Sequence, residues 1–147
     1  MKVSNALRAL AAAVGFAVYL PAAFAHHSVA GQFDVGKTVK ITGTVSRMDW
    51  INPHTQVYVD VKEPAGLVTW KLESLPVAMM RKAGLTKQLL IGDGQEVVVT
   101  LHPARNGTEH LGYILSLKYK DGRTYQFSRD PNGTATATAT ASGGAGT

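Results

Sequence analysis

Hydrophobic and polar residues alternate with period two over most of the chain between positions 39 and 127. Val39, Ile41, Gly43 and Val45 alternate with Lys40, Thr42 and Thr44, and Val57, Val59 and Val61 alternate with Tyr58, Asp60 and Lys62. Val68, Trp70 and Leu72 follow, then Val97, Val99 and Leu101, then Tyr113, Leu115, Leu117 and Tyr119, with Tyr125 and Phe127 in a short last piece. Such alternation is the mark of strands with one face buried. Together these sets predict one core containing Val39, Ile41, Val59, Val68, Trp70, Leu72, Val97, Val99, Leu115 and Leu117.

One segment breaks the period. Ser74 and Pro76 suit a helix start, Arg81-Lys82 a last turn and Gly84 a stop, with Val77 and Met80 as the apolar face. Met79 and Met80 read as core filler rather than soft metal ligands. The order strand, strand, strand, helix, strand, strand, plus a small extra strand, predicts an all-β fold. Its form is a small OB-fold-like barrel of five to six strands with one short helix between strands 3 and 4. Gly43 suits the sharp coil of a first barrel strand.

Register can be read from parity. A two-residue turn at Asn106-Gly107 sets Val99 against Ile114, and the inward faces do not match; an odd loop restores odd-with-odd pairing. His102 and His110 are then expected on one outward face, opposite each other. A three-residue loop around Lys120-Asp121-Gly122 sends Tyr125 and Phe127 inward.

The two ends differ in composition. Lys2 and Arg8 precede an apolar run from Ala9 to Leu20, and Ala23-Phe24-Ala25 has the small-residue pattern of a cleavage site. Residues 1–25 therefore read as a secretory signal peptide, too short in its apolar run to span a bilayer, and predict a periplasmic or secreted protein. Residues 26–130 read as the barrel domain, and 131–147 as a low-complexity tail without structure. Without the leader, 13 Lys+Arg face 10 Asp+Glu, and the basic residues are scattered, which argues against nucleic acid as a partner. The absence of cysteine excludes disulfides, thiolate metal sites and thiol nucleophiles.

Histidine is the only polar type whose placement suggests chemistry. No Ser-His-Asp constellation, phosphate loop or paired acid stands out, so no catalytic residue is assigned. Cleavage after Ala25 makes His26 the N-terminal residue, and its α-amine and Nδ1 can chelate one metal ion. His27 offers a second mode through the amine, a backbone amide and its ring. A further imidazole, from His54, His102 or His110, completes a nitrogen-rich site that suits Cu(II). The expected function is an exported, non-enzymatic binding or accessory protein that captures copper at this end. Its partner would be a protein or small ligand of the cell envelope. Two alternatives stand beside it: a metal-free module that binds protein or oligosaccharide through Trp50, Asn52 and His54, and a copper oxidoreductase.

The runs H-H-S at 26–28, F-D at 33–34, W-I-N-P-H at 50–54, W-K-L-E at 70–73, R-K-A-G at 81–84, G-D at 92–93 and H-P-A-R-N-G at 102–107 carry a resemblance. Over residues 26–125 the chain resembles a family of small exported bacterial proteins known only as a domain of unknown function. The resemblance implies an exported small β domain and brings no activity with it. In layout alone the chain is also similar to the periplasmic OB-fold stress proteins of bacteria.

Overall fold

A computed structural model describes residues 28–129 and 135–140. Its elements are a single helical turn α1 (Val29–Gln32), strands β1 (Val39–Asp49), β2 (Gln56–Glu63) and β3 (Gly66–Glu73), helices α2 (Val77–Lys82) and α3 (Lys87–Ile91), then β4 (Glu96–Pro103), β5 (Leu111–Tyr119), β6 (Thr124–Arg129) and β7 (Ala135–Thr140). Strands run antiparallel in the order β3-β2-β1-β4-β5-β6-β7, and a parallel pairing of β3 with β5 closes the first five into a barrel. This closed order around an interrupted β3–β4 connection is the OB arrangement that the alternation predicts.

Closure depends on how β1 changes partners. Val39 to Thr44 pair with β4, and Thr44 to Asp49 pair with β2, so the strand passes from one neighbour to the other at Gly43-Thr44. A Cβ on Gly43 would collide with the Asp60 carbonyl of β2. Glycine is what lets the two backbones approach there.

The inward positions form one continuous core that includes Ile41, Val45, Val57, Val59, Leu72, Val97, Val99, Leu101, Leu117 and Tyr119. Odd-with-odd pairing holds over the first half of β4, with Val97 opposite Tyr119 and Val99 opposite Leu117, but the odd loop expected to set it is corrected: next to the loop Pro103 faces Gly112, odd against even. The three-residue loop is present: Tyr119 N–H donates to the Arg123 carbonyl across 120–122, and Tyr125 and Phe127 are buried.

Two bulges shift the parity further along. In β1, Val45 faces Val59 but Arg47 faces Tyr58, so Ser46 is the extra residue and Met48 turns inward. In β5, Thr100 faces Ser116 but Leu101 faces Ile114. Leu115 is therefore the bulged residue and only half-buried, while Ile114 takes its expected place in the core. Val39, Val68 and Trp70 also lie half-buried, packed against the edge of the core rather than inside it.

The β3–β4 connection holds two short helices where the sequence predicts one. The N-cap of α2 is Pro76, and Ser74 is buried at the end of β3 instead of capping. Gly84 ends the turn at φ +74°, as its position suggests. Thr86 then caps α3 by accepting from Leu89 N–H, and Leu90 is its buried residue. Met80 lies fully in the core and Met79 packs against it.

The tail expectation is corrected at one place. Within the stretch read as unstructured, Ala135–Thr140 pair with β6 as strand β7. The physical reason is that β6 has β5 on one side only, and an open edge of N–H and C=O groups recruits any extended segment within reach. Residues 1–27, which include the predicted leader, lie outside the described residues.

Candidate functional site

Outward-facing residues of neighbouring strands line up at one place. Tyr113 of β5 is in register with His102 of β4 on one side and with Glu73 of β3 on the other, and Glu73 faces Gln56 of β2. In-register neighbours project from the same face, so His102, Tyr113, Glu73 and Gln56 form a row on the outside of the barrel.

One member of this row, Tyr113, is covered. Tyr113 points away from the core yet is 3% exposed, because the ring of Phe33, itself fully buried, lies 5.7 Å from its own. The segment 28–34 acts as a strap held from several directions. Ser28 caps α1 by accepting from Gly31 N–H at 3.0 Å. Phe33 bridges Ala104, Asp34 N–H donates to the Pro103 carbonyl, and Arg105 N–H donates to the Gln32 carbonyl. The Arg105 guanidinium adds a bond from Nε to the Ala30 carbonyl at 2.9 Å. Beside the strap lies a cleft of about 620 Å³ lined by Ser28, Gly31, Gln32, Arg105, Asn106 and Leu111.

Two of the predicted histidines lie at the row, His102 as its end member and His54 against Glu73. His54 Nδ1 lies 2.6 Å from Glu73 Oε1, with both side chains largely shielded from solvent. His102 Nδ1 lies 2.6 Å from the Lys37 carbonyl, just beyond the strap. Carboxylate and carbonyl oxygens accept hydrogen bonds, so each Nδ1 carries the proton and each neutral ring keeps its lone pair on Nε2. A backbone or carboxylate acceptor on one ring nitrogen is the usual support for an imidazole that ligates through the other.

His110 is placed differently. It precedes β5 with φ +55°, stacks edge-on against Trp70 at 5.3 Å, and has Nε2 3.5 Å from Glu63. The expectation that His102 and His110 stand opposite each other is therefore corrected: His110 lies in the connection ahead of β5, and the residue across from His102 is Tyr113. Among the described residues no group of three or more His, Cys, Asp or Glu side chains is placed to hold a metal ion. His26 and His27 lie outside the described residues.

The residues of the proposed binding loop diverge. Trp50 packs partly against the core and walls a smaller cleft of about 250 Å³ together with Arg81, Leu85, Thr86, Lys87 and Gln88. Asn52 is exposed, and His54 turns back to Glu73. Sequence reasoning did not find Phe33, Glu73, Tyr113 or Arg105 as parts of a site. The available signal was an aromatic residue, Phe33, standing alone ahead of β1 with no alternation to explain it.

A family of unknown function, DUF6152, matches residues 15–112. The chain belongs to that family. The DUF6152 match takes in the strap, β1 to β4, the 104–110 loop and all five histidines, and stops as β5 begins. No curated protein and no solved structure matches the chain. No helix among the described residues is long and apolar enough to cross a membrane.

Proposed function

We propose that this chain is an exported, non-enzymatic binding protein that captures Cu(II) with its processed N-terminus at the strap end of the barrel. The strap is the observation that carries this reading. Ser28, the residue that follows His26-His27, is tied into α1 and sits at the rim of the 620 Å³ cleft. A chelate formed by the His26 amine and ring would thus be tethered to a fixed surface. His54 and His102, each with Nε2 unprotonated in the neutral ring, can supply the further nitrogen, and imidazole with amine is a donor set that favours Cu(II).

The test exploits the free amine. Amine and imidazole must both lose their protons to ligate, with reference pKa values of about 7.7–8.0 and about 6.5. Cu(II) affinity of the chain beginning at His26 should therefore weaken steeply between about pH 7 and about pH 5. One extra residue ahead of His26 should abolish the chelate while leaving every imidazole in place. Isothermal titration of the two forms decides it, and equal affinities would refute the N-terminal site.

A further inference from the structure

The connection between β3 and β4 carries an unbalanced charge. Residues 74–95 contain Arg81, Lys82 and Lys87 against one acid, Asp93. All three cations are exposed, and among the described residues none is engaged by an ion pair or an aromatic ring. Four cations elsewhere are partnered: Lys37 by Asp34, Arg47 by Asp49 and the Tyr58 ring, Arg123 by Asp121, and Arg105 by carbonyls of the strap.

Apolar groups face solvent on the same segments and on the adjoining β1–β2 loop. Trp50 walls the 250 Å³ cleft with Arg81 and Lys87. Its chain neighbour Ile51 is 52% exposed, and Leu89, two residues after Lys87, is 40% exposed although α3 buries Leu90. Each of these large side chains leaves apolar area in water, and a single small anion in the cleft would cover little of it.

From this pairing of uncompensated cations with exposed apolar residues, we propose that the face formed by the β1–β2 loop and α2–α3 docks the barrel on an anionic lipid bilayer. Ile51 and Leu89 enter the headgroup boundary, the Trp50 ring settles at the same level, and Arg81, Lys82 and Lys87 meet lipid phosphates. An indole at the polar–apolar boundary and cations with their stems along apolar surface are the arrangement that interfaces favour. A free phosphate or an acidic polysaccharide would use the cations and leave Ile51 and Leu89 without a role.

Co-sedimentation of the chain beginning at His26 tests the proposal, with vesicles of phosphatidylcholine containing phosphatidylglycerol against vesicles of phosphatidylcholine alone. Binding is expected only to the anionic vesicles and should fall with added salt. Near an anionic surface each cation contributes about fivefold to partitioning, so Arg81→Gln/Lys82→Gln/Lys87→Gln should weaken binding about a hundredfold. Ile51→Ser/Leu89→Ser should weaken it at every salt concentration. Circular dichroism melts confirm that both variants stay folded, as expected for exposed positions. Equal sedimentation with both vesicle types, absence of binding, or undiminished binding of the triple variant would overturn the proposal. Retention on dextran sulfate without vesicle binding would assign an acidic polysaccharide instead and overturn it equally.

Discussion

The inside of the barrel and Tyr113 beneath the strap are both buried, but by different rules. Inside, neighbouring strands supply side chains of one parity, and Val57, Val59, Val97, Val99 and Leu117 meet because every strand obeys the same alternation. Under the strap, Tyr113 faces outward by that alternation and is buried only because a segment some 80 residues earlier in the chain lies across it. The inner core is a property of the sheet. The outer one is a property of a single aromatic contact and the backbone bonds that hold it.

The largest test strikes the inner core. Val99→Asp places a carboxylate among Ile41, Leu117 and their neighbours, where a charge has no partner and costs several kcal/mol, against a total stability of about 5–15 kcal/mol for a domain of this kind. The barrel should lose its cooperative thermal transition. A melt like that of the parent would show that the register is wrong.

Phe33→Ala tests the outer layer. Removing a buried phenylalanine costs about 3–5 kcal/mol where the surroundings cannot collapse. Here much of that loss should fall on the strap itself, because the barrel is closed by β3–β5 pairing without it. Hydrogen exchange at the amides of Gly31 and Asp34 should speed up sharply while those of Val97 and Val99 stay protected. Equal loss of protection in both places would show that the two layers are one cooperative unit.

The smallest effect at neutral pH comes from Tyr119, which belongs to the inner set. Burial pushes its phenol well above the usual tyrosine range, and its O–H donates to the Leu90 carbonyl of α3. In the unfolded chain the phenol ionises near pH 10, while in the fold it keeps its proton. Stability from this group is thus complete below about pH 10 and declines as the pH rises further. Tyr119→Phe should cost about 1 kcal/mol near neutrality through the lost hydrogen bond, and should remove part of the alkaline decline. Tyrosinate absorbance should show Tyr119 ionising only as the protein unfolds.

What the sequence made legible follows the same division. The order of strands along the chain, the barrel class and the inward facing of Val97 and Val99 came from alternation, because facing is a local consequence of a two-residue period; the odd loop expected between β4 and β5 is absent, and the bulge at Leu115 brings odd positions opposite odd instead. The bulges at Ser46 and Leu115 did not, since one inserted residue leaves the composition of the stretch unchanged while reversing its faces. Nor did the row of His102, Tyr113 and Glu73, which depends on β5 meeting β3 in parallel. Individual histidines could be named as candidates. Their ring-nitrogen partners, Glu73 for His54 and Lys37 for His102, lie 19 and 65 residues away in the chain and have no local signature. The strand β7 was missed because a weak apolar pattern says nothing about an open edge elsewhere.

The strap also sets an order in time. Synthesised before any strand of the barrel, it is among the last parts able to dock, because Ala104, Arg105 and Tyr113 follow it by some 70 to 80 residues. Contacts of such sequence separation form late, after the loops between them have closed. Until β5 is made, Phe33 has no Tyr113 ring to cover, and the strap that closes over the outside of the barrel is the element completed after the barrel itself.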